Sequence, residues 1–89
     1  MEIRKSAAAG TLESSDVYVE IEPGCAGLQI RLESVVEEQF GESIRSVAQD
    51  VLTQWGVENA DVRIVDRGAL ECVIRARVET AILRGKGEA

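Results

Sequence analysis

No histidine occurs among the 89 residues, and this excludes most independent enzymology. Histidine is the commonest general base near neutral pH, so every Ser/His and Cys/His nucleophile pair is ruled out with it. Aromatic residues are nearly as scarce, one each of Trp, Tyr and Phe, which leaves no platform on which nucleic-acid bases could stack. Basic side chains number 10 against 16 acidic ones, and a net charge of −6 repels phosphate backbones. Nucleic acid is therefore not an expected partner. No apolar run reaches the roughly 18 to 20 residues of a membrane span, and the opening MEIRKSAAAG lacks the apolar stretch of a secretory signal. A cytoplasmic location with no membrane partner is the expectation. The two cysteines, Cys25 and Cys72, stand far apart with no CxxC spacing, so zinc and thioredoxin-type chemistry lack their ligands and two reduced thiols are expected.

What is present is enough for a small core. The chain is 45% hydrophobic and 29% charged, a soluble globular composition. A chain this short buries only about 60 to 65% of its unfolded surface, which argues for one domain over residues 1–89 and against a deep private cleft. Residues 1–15, with Ala7-Ala8-Ala9-Gly10 and then Thr11, Ser14 and Ser15, show neither a period of 2 nor one of 3.6. They read as a flexible or loosely docked N-terminal segment.

From Asp16 the pattern sharpens. Val17, Val19 and Ile21 alternate with Tyr18 and Glu20; Leu28, Ile30 and Leu32 alternate with Gln29 and Arg31; Pro23, Gly24 and Gly27 lie between. This predicts two half-buried strands forming a hairpin. Ser34-Val35-Val36-Glu37 has capping-box spacing and predicts a helix start. Val36, Phe40, Ile44, Val47, Val51 and Trp55 then recur every three or four residues as one apolar stripe, which Gly56 is placed to end. Gly41 interrupts it.

A further strand runs through Val62 and Ile64, and Asp66-Arg67-Gly68 is turn chemistry. The last segment, ALECVIRARVETAILR, is ambiguous. As a strand it puts Leu70, Cys72, Ile74, Ala76 and Val78 on one face and the charges Arg75 and Arg77 on the other; as a helix it sets Arg77 amid the apolar face. A strand to about Val78 is the preferred reading. The expected fold is α+β: a small antiparallel sheet of three to four strands with one long amphipathic helix packed on one face.

For function, the residues alone single out the polar cluster Gly10-Thr11-Leu12-Glu13-Ser14-Ser15-Asp16, which lies outside the regular elements. A serine in such an accessible segment can enter another enzyme's active site, but it can equally be the plain end of a tail. AGTLESSD at 9–16, EEQFGESIRSV at 37–47 and VDRGALECVIRARVE at 65–79 together resemble the gamma subunit of citrate lyase, its acyl carrier protein, in matching order over nearly the whole chain.

That resemblance implies a non-catalytic carrier in which Ser14 bears, through a phosphodiester, a 2'-(5''-phosphoribosyl)-3'-dephospho-CoA arm, with Ser15 as its nearest rival. It implies that the arm's thiol carries acetyl and citryl thioesters between the alpha (acyl transferase) and beta (lyase) subunits. It also implies an arm-attaching transferase and an acetate ligase as partners. The acyl carrier subunit of malonate decarboxylase, which uses the same kind of arm, is the closest competing family. An unmodified module bridging other subunits is the alternative of a different class. The Asp-Ser-Leu context of the helical fatty-acid carriers does not occur.

Overall fold

The computed structural model describes residues 1–34 and 37–87, which form β1 (Ala7–Gly10), β2 (Val17–Pro23), β3 (Leu28–Ser34), α1 (Glu37–Gln54), β4 (Ala60–Asp66) and α2 (Glu71–Gly85). The four strands make one sheet in the order β1-β2-β4-β3, with both helices on the same side. The α+β class is as expected. Within it the structure differs from the sequence reading in four respects, each with an identifiable physical cause.

First, β2 and β3 do not pair as a hairpin; β4 is inserted between them. The reason lies in relative burial. Ala60, Val62, Ile64, Val65 and Asp66 of β4 are all buried, whereas β3 alternates only between half-buried and exposed positions. The most apolar strand takes the centre, and the connection after Pro23 must step over it, a span of about two interstrand spacings or ~10 Å. Gly24 permits that crossing, because a Cβ there would meet the backbone of Ala60 at 3.0–3.1 Å. The Gly27 carbonyl accepts from the Ala60 N–H (3.2 Å), while the Gly27 N–H donates to Asn59 Oδ1 (2.9 Å).

Second, the sheet is mixed. β3 runs parallel to β4, from Leu28 opposite Ala60 to Ser34 opposite Asp66, because α1 carries the chain back between them as a crossover. Third, residues 7–10 are an edge strand, antiparallel to β2 with Ala9 opposite Val19. The N-terminal segment is docked further by Ile3, which is buried, and by the N–H groups of Arg4 and Lys5, which both donate to the Gly85 carbonyl.

Fourth, the ambiguous last segment is a helix. Ile74, Val78, Ala81, Ile82 and Gly85 are buried, at spacings that keep one helical face against β1 and β2. Leu70 and Cys72, which a strand would have turned inward, are exposed. Arg75 and Arg77 therefore stand on α2 rather than on an outer sheet face. Arg75 reaches across to α1, donating to Asp50 Oδ2 at 2.9 Å as well as to Glu71 Oε2 at 3.3 Å within its own helix.

The α1 stripe holds from Ile44 through Val47 to Val51, all buried, and Trp55 packs half-buried on the core. Phe40 does not join it and is 52% exposed. The helix ends as expected at Gly56, whose φ of 71° closes a Schellman motif: Gly56 N–H donates to Thr53 O (3.0 Å) and Val57 N–H to Leu52 O (2.9 Å). The capping box Ser34–Glu37 runs through Val35 and Val36 and lies outside the described residues, as does Val36 of the stripe. Ser34 Oγ itself donates to Asp66 Oδ2 at 2.8 Å.

Candidate functional site

Because β1, β3 and β4 run one way and β2 the other, three connections meet at a single end of the sheet: the β1–β2 loop, the entry to α1 and the entry to α2. The β1–β2 loop, Thr11 to Asp16, carries the candidate serine. Glu13 to Asp16 form a β-turn, with the Asp16 N–H donating to the Glu13 carbonyl at 3.2 Å. Ser15 has φ +65° and is the one non-glycine residue with positive φ among those described, so the turn has the sign pattern of type II. Ser14 is its outer corner. It is exposed, and no hydrogen bond engages its hydroxyl among the described residues.

The turn is anchored to the sheet by its backbone. Ser15 N–H donates to the Arg67 carbonyl at 2.8 Å, and Arg67 N–H donates to the Asp16 carbonyl at 2.9 Å, extending the β2–β4 pairing by one step. Side chains complete the anchoring through Asp16. Its carboxylate accepts from Thr11 Oγ1 (2.7 Å), from the Val17 N–H (2.7 Å) and from both Nε and Nη2 of Arg77 (3.2 and 3.1 Å). Those contacts, the Thr11 hydroxyl foremost, then the Val17 N–H and the Arg77 guanidinium, lower its pKa to about 2. Thr11 Oγ1 in turn accepts from the Glu13 N–H at 3.2 Å.

Gly10 is dictated by the same geometry. Its φ is +91°, and a Cβ would fall 1.8 Å from the Val17 carbonyl oxygen. The β1–β2 loop can leave the sheet along this path only if residue 10 has no side chain.

Beside the loop, Asp66 is buried at 1% exposure and links the ends of β3 and β4 to the start of α2. It accepts from Ser34 Oγ and, at 3.0 Å, from the Ala69 N–H. An apolar groove of about 340 Å³ opens there between the N-terminal half of α1 and the start of α2, lined by Phe40, Ile44, Val47, Leu70 and Ile74 together with Asp66. Leu12, Phe40 and Leu70 are all exposed, and all belong to this end of the molecule.

Among the described residues no group of three or more Cys, Asp or Glu could hold a metal ion. Cys25 and Cys72 are both exposed free thiols. The sequence resemblance points to Ser14 in this loop, but it does not tie Arg77 to it, since nothing in the local pattern links a helix residue to a loop 61 positions earlier.

Residues 4–85 match the family profile described as ACP, malonate decarboxylase delta subunit (MdcD). The fold agrees: a chain of a Pseudomonas malonate decarboxylase hetero-tetramer, solved in complex with malonate, superposes with a TM-score of 0.79 at 25% identity, covering 94% of this chain and 87% of that one. The fold and the matched profile thus define the class, acyl carrier proteins of α+β architecture. Within that class the curated relatives are much nearer in sequence. The citrate lyase acyl carrier protein of Escherichia fergusonii is 57% identical over 86 residues, covering 94% of this chain and 88% of the relative. That of Latilactobacillus sakei is 47% identical over 88 residues, covering 99% and 87%. That of Klebsiella pneumoniae is 52% identical over 85 residues, covering 94% and 88%. The chain belongs to the citrate lyase acyl carrier protein family.

Proposed function

We propose that this chain, as a single carrier domain, is the acyl carrier subunit of a citrate lyase and bears its prosthetic arm on Ser14. The observation that carries this reading is the turn itself, in which an exposed, unengaged hydroxyl sits at the corner of a loop held by hydrogen bonds on both flanks. The residues fit a covalently attached phosphoribosyl-dephospho-CoA. A phosphodiester needs an accessible hydroxyl with open space around it, and Ser14 offers both, whereas the Ser15 backbone is held in the left-handed region. When bound, such an arm supplies a terminal thiol on which acyl groups are carried as thioesters.

This chain's own part is to present and to tether. It offers Ser14 no general base, for histidine is absent and the Asp16 carboxylate, with a pKa of about 2 and its oxygens occupied, is a poor proton acceptor near neutral pH. The attaching enzyme must therefore bring the base. Tethering then makes arrival at each partner site an intramolecular event at raised effective concentration. The proposed partners are the alpha (acyl transferase) and beta (lyase) subunits, the arm-attaching transferase and the acetate ligase. A cytoplasmic setting accords with the finding that no helix among the described residues is long and apolar enough to cross a membrane.

Intact and peptide-level mass spectrometry of the chain, produced together with the arm-building and arm-attaching enzymes, tests this. The expected result is one arm-sized increment on Ser14 that is absent from Ser14→Ala. An unmodified chain would refute the carrier reading, and an arm on Ser15 would refute the site. The malonate decarboxylase profile and structural neighbour support a second reading, a carrier for that complex. Reconstitution separates the two: the arm-bearing chain should restore citrate cleavage to citrate lyase alpha and beta subunits, and not malonate decarboxylation to carrier-depleted malonate decarboxylase.

A further inference from the structure

The turn that carries Ser14 is held from the far side of the sequence. Arg77, in the middle of α2, places a forked pair of hydrogen bonds on the two oxygens of Asp16, at 3.2 and 3.1 Å. The Asp16 side chain is 15% exposed and that of Arg77 40%, so the pair is partly shielded from water. From Asp16 the contacts continue to Thr11 Oγ1 and from Thr11 Oγ1 to the Glu13 N–H. Glu13 precedes Ser14 and Asp16 follows it by two, so one guanidinium fixes both flanks of the serine without touching it. The Arg77 stem also lies along the strand end, its Cδ 3.3 Å from where a Gly10 Cβ would stand. An ordinary exposed ion pair constrains little, but a planar fork on both carboxylate oxygens sets an orientation as well as a distance.

We propose that Arg77 is a positioning residue for arm attachment: through Asp16 and Thr11 it holds the Glu13–Asp16 turn in the one shape that presents Ser14, and not its neighbour Ser15, to the attaching enzyme. The inference rests on the carrier reading of Ser14. Its kinetic signature follows from population arithmetic. An enzyme that accepts one turn shape binds the carrier more weakly in proportion to the fraction of molecules holding that shape, while turnover of what does bind is unchanged. Releasing the fork thus raises KM and leaves kcat in place. It also lets the second hydroxyl of the doublet be sampled.

The test uses the full chain with purified attaching transferase and its arm donor, with initial rates from intact mass and the site from peptide mass. Arg77→Ala is compared with Arg77→Lys, which keeps the charge but not the fork, and with Asp16→Asn. Arg63→Ala is the control, because it removes an exposed pair with Glu20 remote from the loop. For the three loop variants KM should rise about 5- to 20-fold with kcat within about twofold of wild type, and a Ser15-modified fraction should appear. The control should match wild type on every count. Arg77→Lys and Asp16→Asn decide the matter if the alanine variant loses its native circular dichroism.

Wild-type KM with modification confined to Ser14 in the folded variants would overturn the proposal, as would a fall in kcat at constant KM. A wild-type chain that takes no arm at all would overturn the underlying carrier reading instead, and a wild-type chain armed on Ser15 its site, so these failures are distinguishable from that of the positioning role.

Discussion

Replacing Gly10 by alanine tests the geometry of the loop more severely than any other single change. Two separate costs arise. At φ +91° an L-residue is strained, by about 1–3 kcal/mol. The new methyl would also stand 1.8 Å from the Val17 carbonyl oxygen, well inside any real contact, and Val17 is fixed opposite Asp66 in the β2–β4 register. The sheet must therefore give way, and forced overpacking of this kind costs about 1–3 kcal/mol more.

Gly68 isolates the second cost. It has the same φ of +91°, but a Cβ there would meet nothing within 4 Å, so Gly68→Ala carries the conformational strain alone. Urea unfolding of the two variants followed by circular dichroism measures the difference. At an m-value of about 1–1.5 kcal/mol/M, the summed cost of about 2–6 kcal/mol should lower the Gly10→Ala midpoint by about 1.3–6 M, and the strain alone the Gly68→Ala midpoint by about 0.7–3 M, the first shift being about twice the second. For a chain whose total stability is about 4–13 kcal/mol, the first shift is a large fraction of the whole. Equal midpoints for the two variants would refute the close approach of residue 10 to β2, and with it the path by which the β1–β2 loop leaves the sheet.

Asp16 makes stability depend on pH in a predictable direction. Its pKa falls from 3.8 to about 2 on folding, so its contribution is fully present above about pH 4 and is lost as the pH drops toward 2. The midpoint difference between wild type and Asp16→Asn should shrink across that interval and stay constant from pH 5 to 7; a difference that grows on acidification would contradict the sign. Asp66→Ala removes a buried acceptor for two part-buried donors, the Ala69 N–H and the Ser34 hydroxyl, and should cost about 1–3 kcal/mol by the same urea assay, with Asp66→Asn costing markedly less. Ser15→Gly relieves the one positive-φ side chain of the turn and should leave stability unchanged or raise it by up to about 1 kcal/mol, with arm attachment still on Ser14 by peptide mass. A clear loss of stability in that variant would contradict the left-handed conformation at residue 15.

Much of the fold was legible because it rests on local periodicity. β2 and β3 announce themselves by strict alternation, and α1 by apolar residues every three or four positions closed at Gly56. The last segment misled for a reason contained in the same logic. Between Leu70 and Val78 apolar residues stand at every second position, a strand signal, yet Ile74, Val78, Ala81 and Ile82 also fit a helical face. Period alone does not arbitrate between the two over so short a stretch. The deciding facts are tertiary: the edge of β2 is already occupied by Ala7–Gly10, and the apolar side of β1 and β2 needs covering.

The sequence by itself determined which segments are amphipathic, where the first helix stops and that no histidine-based catalysis resides here, because these are properties of composition and of neighbours along the chain. The proposal of Ser14 rests instead on the resemblance that three separated motifs carry in matching order. Only the tertiary structure decided that β4 lies between β2 and β3, that a glycine must stand at position 10, and that Arg77 meets Asp16. Each depends on residues distant in sequence being brought within a few ångströms, and the linear pattern carries no trace of such a contact until burial and strand order are known.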